Sequence, residues 1–133
     1  MDKLFFPINI HNTHWTMAVA HIRDKRICYY DSMGSISDRY LRIVLRYLGD
    51  ECLAKKGVEL DVSEWELCRC DRSTTPQQEN GSDCGVFSIL FADFISGELP
   101  ISSFNQSHIA SFRRKICLSI LKGKLLYDTL ICR

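Results

Sequence analysis

The sequence predicts an α+β domain with a small sheet, and three features point there. Strand-like segments crowd the first third of the chain. Apolar residues then change to helical spacing after Asp38, and an unbroken apolar run of helical length begins at Cys84. The chain has 133 residues, of which 46% are hydrophobic and 11% aromatic, enough for the core of one domain. Disordered, collagen-like and low-complexity classes are excluded by the same composition.

Each element can be justified in order. Leu4 to Ile10 is dominated by apolar residues and reads as a strand. Trp15 to Ile22 alternates, with Trp15, Met17 and Val19 set against Thr16, Ala18 and Ala20. Arg23-Asp24-Lys25 is a charged tight turn, and Arg26 to Asp31 reads as the returning strand of a hairpin. Ser32-Met33-Gly34-Ser35 breaks that strand, after which Ser37 or Ser35 can cap a helix. From Asp38 to about Lys56, Leu41, Val44, Leu45, Leu48 and Cys52 recur at helical spacing, and Gly57 suits the C-terminal end. Trp65 to Cys70 reads as a short strand and Asp71 to Ser82 as a polar loop. Cys84 to Ile95 is the next helix, closed by Gly97. A last amphipathic helix runs from about Gln106 to Lys122, with Ile109, Phe112, Ile116 and Ile120 on one side.

Charge and cysteine content narrow the function. Seventeen Lys and Arg against sixteen Asp and Glu leave a net charge of +1, too balanced to imply nucleic acid or membrane as partner. No apolar stretch approaches the ~18 to 20 residues of a membrane span. The N-terminal Leu4-Phe5-Phe6-Pro7-Ile8 run is too short for a secretory signal, so an intracellular protein is expected. Seven cysteines, at 28, 52, 68, 70, 84, 117 and 132, are odd in number and irregular in spacing. In a reducing compartment most should be small buried hydrophobes or free thiols. Cys68-Arg69-Cys70 has no second pair and no His-x-x-x-His near it, so no metal site is expected.

Cys84 stands apart from the other six. It opens an apolar helix, where the positive end of the helix dipole and unpaired backbone N–H groups favour the thiolate, the species that attacks a carbonyl. The Cys84 N–H can serve the oxyanion so created, and Gly85 lets substrate backbone approach closely. His14 closes the loop before the second strand and Asp31 ends the third. If these strands form a hairpin, both side chains lie at one edge of the sheet. A carboxylate there would hold one imidazole nitrogen and leave the other to accept the thiol proton. Taken singly, each has a bland reading: a buried Cys, a loop His, an Asp capping a turn.

The combined wording is far more specific. His14-Trp15, then Tyr30-Asp31-Ser32-Met33-Gly34, then Pro76-Gln77-Gln78-Glu79-Asn80-Gly81-Ser82-Asp83-Cys84-Gly85-Val86-Phe87 together resemble the ubiquitin-like-protein protease family, the SUMO/sentrin-specific cysteine peptidases. The likeness continues through Phe91 to Ile95, Phe112-Arg113-Arg114-Lys115 and Lys124-Leu125-Leu126. The resemblance implies a papain-like fold with a short antiparallel sheet. It also implies that residues 1–133 are a catalytic domain lacking an N-terminal portion that helps grip the partner.

By the same resemblance, Cys84 is the nucleophile, His14 the general base and Asp31 its orienting acid. Gln78, six residues before Cys84, is the oxyanion donor; Gln77 is the competitor, and the family spacing favours Gln78. Trp15 covers the channel for a Gly-Gly tail, against the alternative of an ordinary core Trp, and Gly85 is its substrate-side neighbour. Asn80 and Asp83 shape the loop through Asx-type hydrogen bonds.

The implied activity is cleavage after the C-terminal Gly-Gly of a SUMO-like modifier, without cofactor. The implied partner is SUMO or another ubiquitin-like protein and its conjugates, in nucleus or cytoplasm. Two alternatives remain open: a ubiquitin-like-protein-binding module with weak or no turnover, and a related thiol enzyme such as a NEDD8 protease or an acyltransferase.

Overall fold

The computed structural model describes residues 2–126, so Met1 and Cys132 lie outside the described residues. Strand β1 (Lys3–Ile10), β2 (His14–His21) and β3 (Arg26–Tyr30) form an antiparallel meander. Its first turn holds His11 and Asn12 at positive φ. Helix α1 (Asp38–Lys56) follows, then β4 (Glu66–Arg69), α2 (Cys84–Ser96) and α3 (Ile109–Lys122).

The sheet order is β1-β2-β3-β4, and β4 runs parallel to β3, with Ile27 opposite Leu67 and Cys28 opposite Cys68. The expected antiparallel sheet is therefore corrected at this last pair. A parallel partner requires a long crossover, and α1 supplies it by crossing one face of the sheet and delivering the chain back to the end where β3 began.

Local signals set the ends of α1. The Ser37 hydroxyl accepts from the Tyr40 N–H, and Gly57 at φ +67° donates its N–H to the Leu53 carbonyl. Helix α3 begins three residues later than the spacing predicts. Gln106–His108 instead form a separate 3₁₀ turn, capped by Asn105, whose side chain accepts from the Ser107 N–H at 2.9 Å.

Both faces of the central strands are covered. Met17, Val19, Cys28 and Tyr30 pack toward α2 and α3, while Ala18, Ala20, Ile27 and Tyr29 pack toward Leu41, Val44 and Leu48 of α1. The small Ala18 and Ala20 side chains let α1 lie close, which is why the face that alternation marks as weakly apolar is also buried.

Phe104, in the link before α3, is the hub of the larger core. Its ring lies 4.8 Å from Phe94 and between 5.8 and 6.2 Å from Phe91, Phe87 and Phe112. Phe104→Ala is expected to destabilise the domain by about 3 to 5 kcal/mol, read by denaturant unfolding. A loss under about 1 kcal/mol would mean the ring cluster repacks without it.

Candidate active site

His14 is the first residue of β2 and Asp31 the residue after β3. Because Met17 pairs with Tyr30, the two side chains emerge at one edge of the sheet. His14 Nε2 lies 2.7 Å from Asp31 Oδ1. Asp31 is 1% exposed, and its carboxylate also accepts from the Met33 N–H at 2.7 Å and from the Ser35 hydroxyl. A carboxylate only accepts, so Nε2 is the donor of the pair and Nδ1 the nitrogen left to take a proton.

The turn that carries these donors needs Gly34. It sits at φ +74°, and a Cβ there would run into Arg72 and Gln77.

Cys84, 7% exposed, begins α2. One turn further on, the Ser88 hydroxyl donates to the Thr16 carbonyl at 3.0 Å, tying the start of α2 to the start of β2. Gly85 faces Trp15: an added Cβ would lie 3.7 Å from the Trp15 ring. Trp15 is 42% exposed, which sets aside its reading as a core residue. It borders a groove of about 680 Å³ that passes Pro7, Gly85 and Val86 and reaches Ile116 and Ile120.

The two glutamines part company. Gln77 donates to the Thr75 carbonyl at 2.9 Å and the Asp31 carbonyl at 3.4 Å, and so braces the turn after β3. Gln78 is held by the Ser32 hydroxyl, which donates to its Oε1 at 2.6 Å, and its Nε2 donates to the Asn80 carbonyl. An amide nitrogen has two donors, so the bond to Asn80 uses one of them.

Asn80 shapes the loop as expected, its Oδ1 accepting from the Ser82 and Asp83 N–H groups at 3.0 and 3.1 Å. Asp83 departs from that expectation, since its side chain makes no local bond to the backbone at the start of α2. Its carboxylate receives Arg113 from α3, Asn80 at 2.7 Å and Gln106 at 2.8 Å. Arg113 above all, then the Asn80 and Gln106 amides, holds this carboxyl at about 2.

Cys28, which is buried, and the half-buried Cys68 and Cys70 differ from Cys84 in setting. Cys28 is pushed well up by its hydrogen bond with Cys70 and by burial, and Cys68 is pushed up to about 12, chiefly by burial. Cys70 is drawn down by its hydrogen bond with Cys28. None of these three opens a helix. Among the described residues no group of His, Cys, Asp or Glu is arranged to hold a metal ion, and no helix is long and apolar enough to cross a membrane.

Sequence reasoning missed Ser32, Ser35, Gln106 and Arg113 as members of this neighbourhood. An acceptor-rich Asp31 four residues before Ser35 was a usable local signal. No spacing rule links Arg113 to Asp83, thirty residues away.

Comparison with known proteins bears on this arrangement directly. Residues 1–123 match the Ulp1 protease family, C-terminal catalytic domain. Sentrin-specific protease 2 of Pongo abelii is 40% identical over 125 residues, which are 94% of this chain and 21% of that protein. The ubiquitin-like-specific protease ESD4 of Arabidopsis thaliana is 35% identical over 121 residues, 91% of this chain and 24% of that protein. The chain thus spans between a fifth and a quarter of the length of these relatives.

Among solved structures, the Ulp1-like SUMO protease catalytic domain of Chaetomium thermophilum superposes with a TM-score of 0.80 at 25% identity, covering 98% of this chain and 50% of that one. The C-terminal Ulp1 protease domain in complex with Smt3, the yeast ortholog of SUMO, gives 0.74 at 27% identity, covering 92% and 53%. With a match that leaves only the last ten residues outside it, the chain belongs to the Ulp1 protease family, within its C-terminal catalytic domain.

Proposed function

We propose that the chain is a thiol peptidase that cleaves after the C-terminal Gly-Gly of SUMO or a closely related ubiquitin-like modifier, freeing it from a lysine or from a precursor tail. The His14–Asp31 pair, with Asp31 buried and His14 partly so, at the sheet edge to which the start of α2 is tied, supports this reading most. The names of its relatives, which describe sentrin- and ubiquitin-like-specific proteases, agree with it.

In this reading the Cys84 thiolate attacks the terminal glycine carbonyl after His14 Nδ1 has taken the thiol proton. The Cys84 N–H and the Gln78 amide receive the oxyanion. Imidazolium, steadied by Asp31, returns the proton to the departing amine. Water, deprotonated by His14, then releases the modifier from the thioester. Trp15 and Gly85 border the path of the tail.

An intracellular setting, in nucleus or cytoplasm, follows from such a substrate. The reading is tested by release of a fluorophore amide from the C-terminus of SUMO, with NEDD8 and ubiquitin derivatives alongside. SUMO turnover above the others is expected. Saturable SUMO binding with no release would favour the binding-module alternative instead.

A further inference from the structure

Asp83 occupies the N-cap position of α2, yet its side chain makes no capping hydrogen bond. An aspartate there ordinarily turns its carboxylate onto the N–H groups of the first turn. Here the carboxylate points the other way, because α3 and the link before it claim both oxygens. Arg113 Nε and Nη2 donate to Oδ1, and Gln106 Nε2 donates to Oδ2 with Asn80 Nδ2 beside it. Arg113 Nη2 also donates to the Ser82 carbonyl at 3.2 Å, and Gln106 Oε1 accepts the Glu79 N–H at 2.9 Å, so the same two side chains fasten the loop between Gln78 and Cys84.

We propose that Arg113 and Gln106 are positioning residues that hold the Asp83 carboxylate off the N-terminus of α2, reserving the positive end of that helix for the Cys84 thiolate and the oxyanion. The proposal rests on the thiol-peptidase reading above and names what keeps its nucleophile in working order. The physical conflict is simple. A carboxylate swung onto the first-turn N–H groups would cap the helix well, but it would place a negative charge beside a thiolate and occupy donors that the oxyanion needs. Arg113 resolves the conflict by offering the carboxylate a charge-assisted fork elsewhere.

The test uses four variants of the full chain: Arg113→Met, Arg113→Lys, Gln106→Leu and the double variant Arg113→Met with Asp83→Asn. Two readouts are taken at pH 7: alkylation of Cys84 by iodoacetamide, followed by peptide mass, and kcat and KM on the SUMO amide. Thermal unfolding identifies which variants are folded. In Arg113→Met, alkylation and kcat are expected to fall by roughly tenfold or more while KM stays within about twofold. Arg113→Lys, which keeps the charge without the fork, should fall less.

The double variant decides the matter, because removing the displaced negative charge should restore alkylation to within about threefold of the starting chain. A structural role alone predicts no such rescue. A double variant as slow as Arg113→Met would overturn the proposal, as would a raised KM with kcat kept, which would make Arg113 a partner contact. If Arg113→Met does not fold, Gln106→Leu decides alone: slower alkylation supports the proposal and an unchanged rate overturns it. Alkylation needs no SUMO, so an inactive chain with the expected alkylation pattern would refute the proposed substrate and leave the positioning intact.

Discussion

Cys84→Ser is expected to lower the hydrolysis of a SUMO C-terminal amide by at least about a thousandfold while leaving SUMO affinity within about twofold. A serine hydroxyl stays protonated where a thiol ionises, and the single imidazole of His14 is paired for proton transfer from sulfur. The substitution removes little volume at a site that is 7% exposed, so the fold should survive it. Replacement of Cys28, Cys52, Cys68, Cys70, Cys117 or Cys132 should spare turnover, provided the variant folds. If one of those six proves essential and Cys84 dispensable, the nucleophile has been misassigned.

Asp31→Asn should cost nearly as much in rate, about 10³ to 10⁴ in kcat, with KM little changed. The carboxylate accepts from His14, Met33 and Ser35 at once. An amide in its place must turn an NH₂ toward at least one of those donors. If it faces His14, Nε2 becomes an acceptor and Nδ1 carries the proton, the reverse of what a proton acceptor for Cys84 requires. In that orientation it also faces the Met33 N–H, which shares Oδ1 with His14 and loses its acceptor, at some cost in stability. If it faces the exposed Ser35 hydroxyl instead, the hydroxyl turns to accept and His14 keeps only a neutral amide oxygen. Steady-state kinetics and thermal unfolding on the same preparation separate the two outcomes, and unchanged turnover would remove Asp31 from the mechanism.

Much of this architecture is written in local signals. Ser37 and Gly57 bound α1 because a hydroxyl acceptor and a left-handed C-cap act over a few residues. The hairpin that brings His14 to Asp31 follows from alternation and a charged turn, and the apolar run after Cys84 could only be a buried helix.

What could not be read depends on distant partners. The parallel pairing of β4 depends on which face α1 crosses, and alternation within β2 cannot say that Ala18 and Ala20 meet a helix. Phe104 lies between two short 3₁₀ turns, with no periodicity to mark it as the ring that four other phenylalanines meet. Trp15 shares its strand parity with Met17 and Val19, but it stands beside the helix N-terminus and not over the core, so it is exposed where they are buried. Arg113 sits in a run of basic residues, and its bond to Asp83 appears only when α3 packs beside the loop that precedes Cys84.

The central claim is that Cys84 is the thiol that meets the end of a SUMO-like tail, and covalent capture tests it most directly. The chain would be incubated with SUMO carrying a vinyl sulfone or propargyl amide in place of its last glycine carboxylate, and the intact mass and modified peptide determined. The expected result is one SUMO per chain, attached at Cys84, absent in Cys84→Ser and strongly slowed in Asp31→Asn. No adduct from a folded chain, or an adduct at another cysteine that persists in Cys84→Ser, would contradict it.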